Sequence, residues 1–124
     1  MTAIAISIGG HSLAATLGDG PAARKLADSL PLTLSLARWG DEYYGALPVK
    51  LPAGEPRRDV FEVGELALWP DGNAFCIFFG PTPASQGTEP RMASPGIGLG
   101  RITTDAAVLK SSGPALRANL ARLD

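Results

Sequence analysis

The sequence predicts a mainly-β domain: a small closed or nearly closed antiparallel β-barrel with two short helices. Three observations carry this. Several short runs alternate apolar with polar or small residues, the period of two that marks a strand. Fifteen glycines and eleven prolines in 124 residues favour many short elements joined by tight turns. One run, Ala74-Phe75-Cys76-Ile77-Phe78-Phe79, is apolar without interruption, as in a strand covered on both faces. Closing such a sheet removes the exposed edges a small β protein must otherwise guard.

Residues 3–8 set Ile4, Ile6 and Ile8 on one side. Gly9-Gly10 is a favoured hairpin pair, and residues 12–17 return with Leu13, Ala15 and Leu17 on one face. Pro21 suits the first position of a helix, where its missing N–H is not needed. That helix runs to about Ser29 and stops before Pro31. Residues 32–39 alternate as a half-buried strand. Gly40-Asp41 turns the chain into a partner strand at Glu42 to Leu47. Pro48 to Pro56 is a connection without regular structure. Val60 to Trp69 holds two short strands bent at Gly64, and Pro70-Asp71-Gly72-Asn73 is a turn. Gly98 to Thr103 reads as a closing strand, and residues 104–110 as a helical turn. Gly113-Pro114 opens a last helix with Leu116, Leu120 and Leu123 as its apolar stripe.

Length and composition bound the function. The chain suits one domain, 1–124. Its hydrophobic share of 45% and charged share of 19% exclude disorder throughout. A net charge of -1 and a pI near 5.8 give no nucleic-acid footprint; Arg57-Arg58 reads as a solvated loop pair. No run approaches the ~18 apolar residues of a membrane span, and the first residues do not read as a leader. One cysteine forms no internal disulfide, so a cytoplasmic setting is expected. No cofactor is called for. One His and one Cys do not make a zinc site. Cys76 reads as a small buried hydrophobe, His11 as a solvated turn residue, and Asp41 and Glu42 as solvated acids. Trp39 and Trp69 read as packing at the barrel ends. Gly96-Ile97-Gly98-Leu99-Gly100 leads into a strand and lacks the helix a phosphate loop needs.

The stretch Gly80 to Gly100, GPTPASQGTEPRMASPGIGLG, has neither helical nor strand period. A loop of this length in a compact domain is expected to be functional or disordered. The candidate binding residues therefore lie on it or beside it: Thr82, Pro83, Ser85, Gln86, Glu89, Arg91 and Ser94, with Phe61 and Phe79 as apolar walls. Arg91 has two readings, a donor to a ligand or a partner of Glu89 that holds the loop in shape. A small molecule or a peptide is the expected ligand. Self-association through an apolar patch around Met92 and Ile97, giving a homodimer, is a further expectation.

Longer segments carry a resemblance. They are Ile8-Gly9-Gly10, LPLTLSL at 30–36, GALP at 45–48 and Val63-Gly64-Glu65-Leu66, then AFCIFFGPTPAS running into EPRMASP, and finally Gly100-Arg101-Ile102. In this order they resemble the small, atypical bacterial and archaeal cyclophilin-like proteins over nearly the whole chain. The resemblance implies a reduced barrel of the cyclophilin type. Ordinary cyclophilins carry a catalytic segment headed by Phe, His and Arg; here Phe61 is followed by Glu62 and Val63. No catalytic residue is carried over. The expected function is a small-molecule or peptide binding domain with its pocket bordered by residues 80–95; if the chain is an enzyme, the resemblance implies a peptidyl-prolyl isomerase.

Overall fold

Alternation decides which way each strand faces. The computed structural model, which describes residues 1–123, turns Ile4, Ile6 and Ile8 of β1 (Thr2–Ile8) inward. Leu13, Ala15 and Leu17 of β2 (His11–Leu17) join them. Gly9 and Gly10 connect the two strands with φ of +55° and +82°, the pair of positive values that matches strand twist in a two-residue hairpin. Helix α1 (Pro21–Ser29) then lays Ala22, Ala23, Leu26 and Ala27 onto the same core. Gly20 offers its first turn no side-chain cap. The exposed donors of that turn are instead served from the 48–56 connection, where Glu55 Oε2 accepts from the Ala22 N–H at 2.9 Å.

The remaining strands are β3 (Leu32–Arg38), β4 (Glu42–Ala46), β5 (Arg58–Val60), β6 (Glu65–Trp69), β7 (Ala74–Phe78), β8 (Arg91–Ile102) and β9 (Ala115–Arg122). Their hydrogen-bonded order is β2-β1-β9-β3-β4-β7-β6-β8, and β2 pairs back onto β8. Eight antiparallel strands thus close into a ring. The closing ladder is short: Ala15↔Ile102, Thr16↔Arg101 and Leu17↔Gly100. β5 lies outside the ring and pairs with β8.

Inside, Phe75, Ile77 and Phe79 meet Leu66 and Leu68 with the isoleucines of β1. Outside, a smaller apolar cluster covers β6 and β7, formed by Phe61, Ala67, Cys76, Phe78 and Met92 with Trp69 against it. All five residues of β7 are consequently buried, as its uninterrupted apolar run predicts, and Cys76 is a buried thiol.

Two expectations need correction. The C-terminal stretch is strand β9, not a helix, and it pairs with both β1 and β3. Leu116 and Leu120 are separated by an even number, so they share a strand face as readily as a helix stripe. Ala118 lies buried between them but is too small to make the alternation visible. The second short helix is the 3-10 helix Ala106–Ser111, capped by Asp105. The segment 80–100 is also not one loop, because β8 begins at Arg91 and not at Gly98. Pro95 hides this. It falls where β8 passes from pairing with β5, up to Gly96, to pairing with β6, from Ile97. A residue without an N–H is tolerated at such a break in the ladder.

Gly100 sits at the closure. A Cβ there would press on the Thr16 carbonyl oxygen and lie 2.9 Å from Leu17 Cα. Gly100→Ala is expected to lower the unfolding free energy by about 1–3 kcal/mol. Gly54→Ala, whose methyl would meet nothing within 4 Å, should change it by less than about 0.5 kcal/mol. Urea denaturation measures both, and equal midpoints would refute a tight closure.

Candidate functional site

The site is built from the β3–β4 hairpin. The Trp39 N–H donates to the Glu42 carbonyl at 2.8 Å, and Gly40 turns the chain with φ of +62°. Arg38 clamps this turn from below. Its guanidinium donates to Gly40 O, to Lys110 O and Ser112 O, and to Asp41 Oδ1 at 2.8 Å. It also lies 4.9 Å from the centre of the Phe79 ring. The 80–90 loop clamps it from above. Asp41 N–H donates to Pro81 O, and a Cβ on Gly40 would stand 2.8 Å from Pro83 Cδ and 2.9 Å from Thr82 Cα. The turn is thus held on both sides.

Glu42 and Tyr44 alternate to the outer face of the ring while Tyr43 points in. In register, Glu42 lies opposite Phe78 and Tyr44 opposite Cys76. That puts a carboxyl group at the edge of the outer apolar cluster. Trp39, Glu42, Tyr44, Trp69, Met92 and Ala93 line a pocket of about 280 Å³ there. Trp69 is held from two sides. Its Nε1–H donates to Ser94 Oγ at 2.8 Å, and that hydroxyl donates to Asp71 Oδ2 at 2.7 Å. The turn at Gly72 meets its ring so closely that a Cβ would stand 3.0 Å from two ring carbons.

Glu42 is only 3% exposed, and its Oε1 finds no donor among the described residues. Burial among apolar groups penalises the charged form and pushes its carboxyl up to about 7; the Cys76 thiol beside it opposes this in part. Burial pushes the Cys76 thiol well above its usual range, and the Glu42 charge adds to that. A carboxyl group that changes charge near neutrality, in a pocket with few polar neighbours, is a functional-site candidate on physical grounds.

The residues expected from sequence fall differently. Thr82, Ser85, Glu89 and Arg91 form a self-contained network. Thr82 Oγ1 donates to Arg91 O, Ser85 Oγ donates to Glu89 O, and the Gln86 and Gly87 N–H groups donate to Glu89 at 2.8 and 2.7 Å. These hydrogen bonds, with Gln86 N–H foremost, hold the Glu89 carboxyl near 2. Arg91 donates to Glu89 Oε2 at 3.1 Å and to Asp59 Oδ2 at 2.7 Å. Its role as a partner within the loop is the one these contacts support. Gln86 is exposed. Phe79 stacks on Tyr43 inside the barrel at 5.4 Å and does not wall the pocket. Phe61 stacks on Phe78 at 4.9 Å in the outer cluster, and the Arg58 guanidinium lies over the Phe61 ring at 4.2 Å from its centre. Arg58 is exposed but does not lie in a loop: it sits on β5 and is paired with Glu65. Met92 and Ile97 are 3% and 2% exposed, so the apolar patch expected around them is internal.

The family follows from comparison. The family model described as Cyclophilin-like matches residues 2–118. The chain belongs to the cyclophilin-like family. The solution structure of the hypothetical protein AF2241 from Archaeoglobus fulgidus superposes on this cyclophilin-like chain with a TM-score of 0.82. It is 31% identical, and the match covers 98% of this chain and 95% of that one. No curated protein matches the chain. Among the described residues no group of three or more His, Cys, Asp or Glu is placed to hold a metal ion, and no helix is long and apolar enough to cross a membrane.

The sequence reads Glu42 as a solvated acid and Trp39 and Trp69 as end packing; the structure brings the three together with Tyr44. The missing signal was strand register, which sets Glu42 against the apolar outer face of β7.

The buried acid makes the cyclophilin-like domain sensitive to pH. The unfolded chain releases the Glu42 proton near 4.5 and the folded chain near 7, so between these values the folded state binds more protons. Stability therefore falls as pH rises from about 4.5 to about 7 and levels off above, a loss of order 3 kcal/mol. Glu89 titrates below this window. Glu42→Gln should remove the loss, read from urea unfolding at pH 5 and pH 7.5. Equal pH dependence in variant and wild type would contradict the buried acid.

Proposed function

We propose that this cyclophilin-like domain binds a small molecule or a peptide side chain in the outer-face pocket bordered by β8. One observation carries the proposal: Glu42 is buried at an aromatic-walled pocket with a carboxyl oxygen that no donor among the described residues satisfies. Leaving a buried polar atom without a partner costs about 1–3 kcal/mol, and a ligand donor offsets that cost. Trp69, Ser94 and Asp71 hold one wall in place before any ligand arrives, which lowers the ordering cost of binding. Of the residues expected to bind, Ser94 acts through Trp69, and Thr82, Pro83, Ser85, Glu89 and Arg91 act by holding the loop over the Trp39–Glu42 turn.

Binding is favoured over prolyl isomerisation. Isomerisation needs a donor aimed at the prolyl nitrogen, and the one arginine of the 80–95 segment is committed to Glu89 and Asp59. The wild type should not accelerate prolyl isomerisation in a peptide assay; acceleration abolished by Arg91→Ala would reverse the preference.

Both tryptophans of the chain line the pocket, so intrinsic fluorescence reports on it directly. A fragment panel should contain compounds that change this fluorescence saturably and raise the melting temperature, since ligand at 100 times Kd adds about 2.7 kcal/mol. Ala93→Phe, at an exposed position on the pocket wall, should weaken those compounds at least about tenfold. Unchanged affinity in that variant would place the binding elsewhere.

A further inference from the structure

We infer that the pocket takes a protonated amine, an organic ammonium ion with at least one N–H, held between aromatic rings and the Glu42 carboxylate. The inference rests on the binding proposal above and names the chemistry of its ligand.

Charge points this way first. Glu42 is the only charged residue that lines the pocket. The cations nearby in the chain are turned to other partners: Arg38 to Asp41, Arg58 to Glu65 and Arg91 to Asp59 and Glu89. Asp71 adds a second acid behind the wall through Ser94 and Trp69. An anionic ligand would therefore meet acids without a cation to offset them.

The walls point the same way. Two indoles and a phenol line one small pocket, and aromatic faces attract cations most strongly when water is excluded. An ammonium group uses both features at once. One N–H donates to Glu42 Oε1, which lacks a donor among the described residues, and the charge rests against the rings. Met92, 3% exposed, offers an apolar surface to the carbon tail. A volume of about 280 Å³ lies at the small end of ligand pockets, which fits an amine with a short apolar or aromatic tail. Of the groups facing the carboxyl, Cys76 on β7 is kept as a neutral thiol by burial and Tyr44 on β4 supplies a phenol. Met92 and Ala93 on β8 and Trp69 on β6 carry no charge. The carboxyl therefore supplies the whole counter-charge, and an incoming cation displaces its proton to solvent.

Four probes test this by tryptophan fluorescence: 2-phenylethylammonium, its neutral counterpart 2-phenylethanol, the anion 3-phenylpropionate, and N-acetyl-lysine methylamide. The ammonium ion is expected to bind about tenfold or more tighter than the alcohol at pH 8, and the anion weakest. Its affinity should rise about tenfold from pH 6 to pH 8 as the carboxyl, near 7 in the free protein, loses its proton. Glu42→Gln should erase both the preference and the pH dependence. A far-ultraviolet circular dichroism spectrum of that variant that matches the wild type's shows that the fold is intact. The lysine derivative separates the two sources of an amine: tighter binding than phenylethylammonium assigns a peptide lysine, weaker binding a free amine. Alcohol binding equal to that of the ammonium ion, or affinity that falls as pH rises, overturns the inference and leaves the binding proposal standing. No fluorescence change with any of the four overturns both.

Discussion

The fold depends on a closure made by three residue pairs. Between β2 and β8 the ring is joined in register at Ala15, Thr16 and Leu17, flanked by hydrogen bonds from Gly18 N–H to Leu99 O and from Thr103 N–H to Ala14 O, and it leaves no room for a side chain at residue 100. Once it is closed, every ring strand has two neighbours and edge pairing is no longer available within the ring. The sheet has an inside and an outside, and alternation commits every residue to one of them. β1 and β2 spend their large side chains on the inside. β6 and β7 have apolar residues to spare, so they bury both faces, and β5 with its Arg58–Phe61 stack lies over the surplus. The outer pocket is the uncovered end of that second apolar layer.

An acid in such a place is explained by register, not by the local sequence. Tyr43, one residue on, points into the core. A slip by one residue would exchange the two and put a carboxyl group in the barrel interior. The β3–β4 turn fixes the register, and the turn is in turn fixed by Arg38 below and Thr82-Pro83 above. The 80–90 loop therefore serves the pocket without lining it. Its hydroxyls and carboxylate are spent on its own backbone, as a loop of this length requires if its N–H and C=O groups are not to be left unpaired. Its contribution to a ligand is the position of Trp39 and Glu42.

Much of the barrel is legible in the residues. β1, β2, β3 and β7 follow from alternation or from an unbroken apolar run, and α1 from Pro21 and Pro31. β9 is not, because alanines at 115, 118 and 121 flatten its period and leucines four apart satisfy helix and strand alike. β8 is not, because Pro95 and three glycines mask a strand that changes partners midway. The pocket was illegible for a third reason. Its walls come from the β3–β4 turn, β4, β6 and β8, and no local pattern says that Trp39 and Trp69, thirty positions apart, share a pocket. What could be read was that β7 needs cover on both sides; which residues supply it is a matter of pairing.

Stability alone does not account for Glu42. Its flanking strands and its pocket would accept an apolar or neutral residue of similar size, and a neutral side chain would avoid the desolvation that displaces its titration toward 7. Structural ion pairs elsewhere in the chain show the contrast. Glu65, 7% exposed, is met by the Arg58 guanidinium and accepts from the Glu62 N–H at 3.0 Å, so its burial is matched by donors. Glu89 is matched by two N–H groups and Arg91. Glu42 alone among the buried side chains described has an oxygen left without a donor, and it lines an open pocket. A fold that supplies donors to its other buried acid, Glu65, and withholds them here has the arrangement of a site whose donor arrives from outside.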